Sequence, residues 1–348
     1  MVRRLHRGIA IRPRRERSVS LSAGSAVPPP DTAPDPGVPW HFGDPHSEQR
    51  RLAQGEGIVD CSNRGVVTVS GLDRLSWLHS LTSQHVEHLG VGESALALIL
   101  SPHGHVEHEL HLVDDGAITW IITQPGTSAE LTRYLESMRF MLRVDVADVS
   151  DAFAVVWEPV AEADPASPTW VVPEPFASRG YRGREVIIPR ELLASRLEGA
   201  VPAGSWALEA LRVEAAMPRL GQETDHRTIP HEVGWIPSAV HLQKGCYRGQ
   251  ETVARVQNLG KPPRRLVLLH LDGSDEVTIA HGDPVWWGDR EIGWVGSFAR
   301  HYELGPIALA VVKRNVPVDA ELVVRHGPGG EDGFIEIAAA QEEKVPAT

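Results

Sequence analysis

The eight residues KGCYRGQE at positions 244–251 carry the densest chemistry in the chain. Gly245 and Gly249 bracket Cys246 and Tyr247, so the backbone there is free to turn tightly or to approach a ligand. Lys244 and Arg248 place positive charge beside the thiol, which would lower its pKa and raise the thiolate fraction. The following QETVARVQ can start a helix, with Gln250 and Glu251 in its first turn and an anion-favouring field at its N-terminus. One outcome is a reactive or ligand-sensing thiol. The other is a small buried hydrophobe in a glycine turn, since free cysteine is often buried and inert. A cysteine-protease arrangement would need a histidine base and an orienting partner; with 17 histidines, His241 among them, supply alone says nothing.

Two further groups could do chemistry. His103, His105, His108 and His111 lie in HGHVEHELH with Glu107 and Glu109 between them. On a strand His103, His105 and His111 would share a face with Glu107 and Glu109, which suits a divalent ion; the alternative is a solvated strand edge. Glu214 stands in LRVEAAMPRLG between apolar positions. Such a carboxylate either sits on the helix surface or accepts two parallel N–H bonds from a planar heterocycle such as a pterin. Trp235, in HEVGWIPS, offers a stacking surface or a core side chain.

The elements that must position these groups follow from periodicity. GIVDCSNRGVVTVSG reads as two short strands around a turn at 63–65, and LDRLSWLHSLTSQHVEHL as a helix with Leu72, Leu75, Leu78 and Leu81 in register. Three strands follow, with turns at 101–104 and 114–116. The spacing predicts a helix over 128–142, with Leu131, Leu135, Met138 and Met141 on its apolar side. Another covers WALEALRVEAAMPRLG, with Leu208, Leu211 and Ala215 on one face and Pro218 and Gly221 closing it. Residues 222–240 read as loop-rich. From 264 to 340 short strands recur at close spacing, which predicts a small all-β domain, a barrel.

Composition sets the bounds. The chain has 348 residues, 42% hydrophobic and 23% charged, enough for two or three cores. Apolar runs such as ALALIL (95–100) and IALAVV (307–312) reach six residues, far below the roughly 20 of a membrane span. Two cysteines, Cys61 and Cys246, exclude a disulfide framework and a four-thiolate site built by this chain alone. Net charge is −12, yet residues 1–40 carry seven arginines and a local +4, which leaves −16 on the rest. That acidic body disfavours direct nucleic-acid binding. Residues 1–45, Arg-rich and then Pro-rich, read as a disordered tail. The tail is acid-poor like a transit peptide but lacks the apolar core of a secretory signal.

KGCYRGQETVARVQNLGKPPRRL resembles the signature of the YgfZ-type folate-binding proteins, relatives of the glycine-cleavage T-protein, an aminomethyltransferase. VDCSNRGVVTVSGLDRLSWLHSLTSQ, SRGYRGRE (178–185), LRVEAAMPRLG, IPHEVGW and IGWVGSFARHYELGPIALAVV resemble further segments in the family's order. The resemblance covers about residues 46–340. It implies an α+β fold in which two antiparallel-sheet units, residues 46–262, and a C-terminal β-barrel, residues 263–348, form a cloverleaf around a central channel. It implies tetrahydrofolate as ligand, with Glu214 on the pterin and Tyr181, Gly245, Tyr247, Gly249, Trp235 and Arg255 around the ligand. Cys246 would be the signature thiol at the channel mouth, its surroundings shaped by Lys244, Arg248, Gln250 and Glu251.

One departure bears on activity. Aminomethyltransferases of the family carry a catalytic Asp where this chain has His108, and strand alternation turns Glu109 to the opposite face. An imidazole cannot stabilise a developing cation as a carboxylate does. The expectation is therefore a cytoplasmic, monomeric folate-binding factor with iron–sulfur client or assembly proteins as partners, linked to tRNA modification only through such enzymes. No nucleic acid, membrane or metal is expected. The alternatives are an active tetrahydrofolate-dependent aminomethyl transferase and a metal-binding module on strand 103–111.

Overall fold

The structure, a computed structural model, describes residues 26–273, 279–327 and 335–345. The first lobe is a five-stranded antiparallel sheet in the order Ser94–Leu100, Val106–Asp114, Ile118–Thr123, Gly65–Ser70, Asp145–Asp148. Helices Arg74–Leu81 and Ser128–Met138 cover one face of it, where Leu78, Leu81, Leu131 and Leu135 meet Val67, Val69, Ile99, Leu110, Leu112 and Ile121. The second lobe is a sheet ordered Pro202–Ala203, Ile58–Asp60, Phe153–Glu158, Arg184–Pro189, Thr169–Val171, with a parallel pairing only between its first two strands. The strands flanking the turn at 63–65 therefore do not pair with each other. Ile58–Asp60 belongs to the second lobe and Gly65–Ser70 to the first, so this turn is a crossing point between lobes.

The third lobe is a closed barrel of Arg264–Leu271, Gly305–Lys313, Arg290–His301, Pro284–Trp287, Leu322–His326 and Ile335–Glu342. Val267, Leu269, Val295, Ala308, Ala310 and Val312 fill its interior. The alternate residues Leu266, Leu268, Ile307, Leu309 and Val311 face outward and join the core shared by all three lobes. Burial on both faces explains why RRLVLLHL and PIALAVV read as continuous apolar runs rather than alternating ones.

Helix Ser205–Glu214 runs through the junction of the lobes and is buried almost all round, Glu209 and Arg212 included. Its N-terminus is satisfied by the segment expected to be tail. The Ser205 N–H donates to the Pro39 carbonyl at 2.9 Å and the Trp206 N–H to the Trp40 carbonyl at 3.1 Å, while Trp40 stacks on Trp206. A Cβ on Gly204 would fall 2.1 Å from the Trp40 carbonyl oxygen, so this approach requires glycine.

Residues 26–45 are thus part of the fold, which corrects the reading of 1–45 as disordered; residues 1–25 lie outside the described ones. Asp35, 9% exposed, binds Arg219 through both carboxylate oxygens at 2.8 Å. Burial works against its charge, but Arg219 wins and holds the carboxyl down at about 2. Proline-rich composition hid this because its anchors are one carboxylate and one indole rather than a periodic face. Asp35→Ala should cost about 3 kcal/mol, read from urea unfolding, because it strands a buried guanidinium. A tail without contacts would give no change.

The helix expected over 128–142 ends at Met138. The chain then turns through Phe140 at positive φ, and Met141 is 85% exposed rather than packed.

Candidate functional site

The signature loop docks on the first lobe through two interlocked glycines. Gly249 (φ +82°) packs so closely on the turn at 101–104 that a Cβ would stand 2.5 Å from the Ser101 carbonyl oxygen. In return a Cβ on Gly104 (φ +80°) would meet the Thr252 side chain at 2.7 Å. Helix Gln250–Leu259 begins directly after Gly249 and carries Glu251 and Arg255 exposed on its surface. The Gln250 side chain donates to the Lys244 carbonyl at 3.3 Å.

The loop's cations do not face the sulfur as free charges, which corrects the expectation for Lys244 and Arg248. The buried Lys244 ammonium donates to the carbonyls of His79, Thr82 and Gln84, and burial lowers its pKa to about 8. Arg248 pairs with Glu107 at 2.9 Å and lies over the Tyr134 ring. Tyr247 is buried under Lys244. Cys246 is a free, exposed thiol, so the loop is a fixed platform presenting sulfur to solvent. Arg248 of the same loop, with Glu107, His108, Glu130, Arg133 and Tyr134, lines an open groove of about 630 Å³.

Glu214 is the last residue of the central helix, its side chain 27% exposed. The Lys344 ammonium donates to its carbonyl at 3.0 Å, where a cation also suits the helix C-terminus. Its Oε2 faces the buried His301 Nε2 at 3.2 Å, and Gly180 stands beside the same oxygen. His301 Nδ1 accepts the N–H groups of Glu303 and Leu304, so Nε2 carries the proton. That N–H, almost fully buried, makes no hydrogen bond within the chain. The result is a carboxylate and an imidazole N–H facing each other at one rim of the junction, in contact but without a well-formed hydrogen bond.

Two expected ligand contacts are placed otherwise. Trp235 is 0% exposed, sealed in the shared core, so it offers no face for stacking. Tyr181 follows Gly180 near Glu214, but its ring is buried and stacked on Trp157. Among the described residues no hydrogen bond or ion pair joins the Cys246 loop to Glu214.

The histidine strand does not gather a metal set. A bulge at Glu107 shifts the register, so that Val106 pairs with Leu100 and His108 with Ile99. His108 turns toward the Ser128–Met138 helix and lies against Tyr134. Glu109 turns inward on the opposite face, as alternation requires. His111 is also inward: its Nδ1 lies 2.8 Å from Glu185 and its Nε2 3.2 Å from Glu109, and its ring stacks on Trp170 with centroids 3.8 Å apart. Burial opposes its charge, but the two carboxylates raise its pKa to about 9, so it is a structural imidazolium.

This group opens into a charge network that sequence reasoning missed. Arg64 bonds the other oxygen of Glu185, and the second Glu109 oxygen accepts the Leu220 N–H at 2.9 Å and the Gln124 amide at 3.3 Å. On the central helix, Arg212 forks onto Glu209, reaches Glu223 at 3.2 Å and donates to Ser297 of the barrel. Arg219 lies 3.7 Å from Glu209 and binds Asp35, to which Asn63 also donates. Buried ions of the first two lobes, the central helix and the segments at 35 and 219–223 are thus paired with one another, and the Ser297 hydroxyl ties the barrel to them. The available signal was charge placed where apolar residues should stand, Glu185 in REVIIP and Glu209 in WALEALRVE.

Residues 264–343 match the glycine cleavage T-protein C-terminal barrel domain. The whole structure is similar to the crystal structure of glycine cleavage system aminomethyltransferase T from Bartonella henselae, with a TM-score of 0.69 over 87% of this chain and 90% of that one at 17% identity. The fold is that of the T-protein. In sequence the chain is 25% identical over 302 residues to an aminomethyltransferase of Thermosynechococcus vestitus, covering 79% of this chain and 81% of the relative. It is 26% identical over 320 residues to that of Rubrobacter xylanophilus, covering 84% and 85%. These likenesses support an assignment to the T-protein-like superfamily. No helix among the described residues is long and apolar enough to cross a membrane.

Proposed function

We propose that this chain is a cytoplasmic tetrahydrofolate-binding protein that uses the T-protein fold as a folate receptor, and that Cys246 is its working group in the assembly or repair of iron–sulfur enzymes. The observation that carries the folate reading is the Glu214–His301 pair. A pterin edge presents N–H donors beside acceptors; Glu214 would take the donors in its two oxygens, and the His301 N–H, which touches Glu214 without a well-formed hydrogen bond, would turn to an acceptor. Bound folate would supply a carrier for one-carbon units.

The strand that bears the family's catalytic Asp argues for a receptor rather than a transferase. His108 faces away from the junction, and Glu109, which faces it, has one oxygen toward His111 and the other on Leu220 and Gln124. A carboxylate so committed is poorly placed to stabilise a developing cation. The second reading, an active tetrahydrofolate-dependent aminomethyl transferase, is favoured by the names of the relatives and by the inward direction of Glu109.

Aminomethyl-transfer turnover with tetrahydrofolate separates the two. The expected result is folate binding without turnover. Cys246→Ser should leave stability within about 0.5 kcal/mol, as for an exposed side chain, and leave folate affinity unchanged. It should also abolish rescue of a strain deficient in iron–sulfur enzyme activity. Turnover that survives Cys246→Ala and is lost in Glu109→Gln would establish the transferase instead.

A further inference from the structure

Next to the signature loop, whose Lys244 bonds the same backbone, four imidazoles crowd the surface at the end of the Arg74–Leu81 helix. His79 lies on that helix, His85 and His88 on the turn after it, and His241 on the strand-like approach to the signature loop. The His85 ring is 4.7 Å from that of His79, 5.3 Å from His241 and 5.6 Å from His88. One ligand atom each from His79, His85 and Glu87 lies within 4.8 Å of the others. The His79 Nδ1 is buried and has no hydrogen-bond partner.

The backbone that holds these side chains is tied down from several sides. Ser83 receives the His241 N–H on its carbonyl at 2.9 Å and donates its hydroxyl to Ala239 at 2.6 Å. The Gln84 side chain donates to the Ser238 carbonyl and accepts the His85 N–H. Lys244 holds the carbonyls of His79, Thr82 and Gln84 together. None of these bonds uses an imidazole nitrogen of His79 or His85, so the frame is rigid while ligand atoms stay open.

We propose that His79, His85 and Glu87 form a binding site for a divalent transition-metal ion of borderline softness, such as zinc, with His88 and His241 at its rim. Two imidazoles and one carboxylate suit zinc, copper or nickel rather than magnesium or calcium, and they leave coordination positions for water or a further ligand. Ligand atoms on one tetrahedral zinc stand roughly 3.4 Å apart, so the three side chains, now within 4.8 Å, close on the ion by small rotations, for which Glu87 is free because it is exposed. The Lys244 ammonium is the opposing charge on this side, and its three carbonyl partners blunt it.

Calorimetric titration of the full chain with zinc chloride near neutral pH tests this. Saturable binding of one equivalent is expected, weakened at least about tenfold in His85→Ala and in Glu87→Gln and unchanged in His105→Ala. Zinc should raise the thermal midpoint of the wild type and of His105→Ala but shift the two site variants much less. Glu87→Gln keeps the test decisive should His85→Ala fold poorly, since Glu87 is exposed. Absence of saturable zinc binding to the wild type, or equal affinity in Glu87→Gln, would overturn the proposal.

Discussion

Glu185→Ala should lower stability by about 3–5 kcal/mol, the scale of breaking a buried ion pair by removing one partner. Glu185 is buried between Arg64 and His111, with both oxygens engaged. Its loss leaves a guanidinium and an imidazolium in the junction with too little negative charge. The wild type should also show a pH dependence that the variant largely loses. The pKa of His111 in the folded protein, about 9, lies above its ordinary 6.5. Its contribution is therefore complete below pH 6.5 and is lost as pH rises toward 9, at about 1.4 kcal/mol per pH unit. Glu109 and Glu185 are buried too, but His111 and Arg64 hold them below the ordinary 4.5, so their contributions are present above that value and fade as pH falls beneath it. Urea unfolding of the wild type should thus be most stable around pH 5–6.5. An equally steep decline from pH 6.5 to 9 in Glu185→Ala would show that His111 does not carry it.

Glu214→Gln should weaken tetrahydrofolate binding by about 1.5–3 kcal/mol, the range for a hydrogen bond to a charged group. Because this side chain is partly exposed at a helix end, stability should change little, which separates a ligand effect from a folding effect. His301→Ala should weaken folate binding as well, but it also removes a buried ring and is the less clean variant. Calorimetry that finds equal affinity for wild type and Glu214→Gln would remove the pterin assignment and with it the receptor reading.

Elements governed by local pattern were legible in the sequence. The six barrel strands, the turns at 101–104 and 114–116 and the helix after Gly249 are all where periodicity and turn residues put them. What was hidden depends on distant partners. A single bulge at Glu107 takes that carboxylate off the face that Glu109 and His111 share, and nothing local announces it. Lys244 looked like an activator of its neighbour's sulfur because sequence adjacency cannot show that its ammonium turns toward three carbonyls on another element. His79 and His241 are too far apart along the chain to read as one cluster. Asp35 looked like tail because its partner stands 184 residues away.

The barrel's doubly apolar strands have a consequence for how the molecule comes apart. Leu266, Leu268, Leu309 and Val311 are dry only while the other two lobes stay docked. Peeling the barrel away would wet this greasy outer wall and also cut the tether from Arg212 to Ser297. Melting is therefore a concerted event: a detached barrel is a sticky, aggregation-prone fragment, not a self-sufficient module.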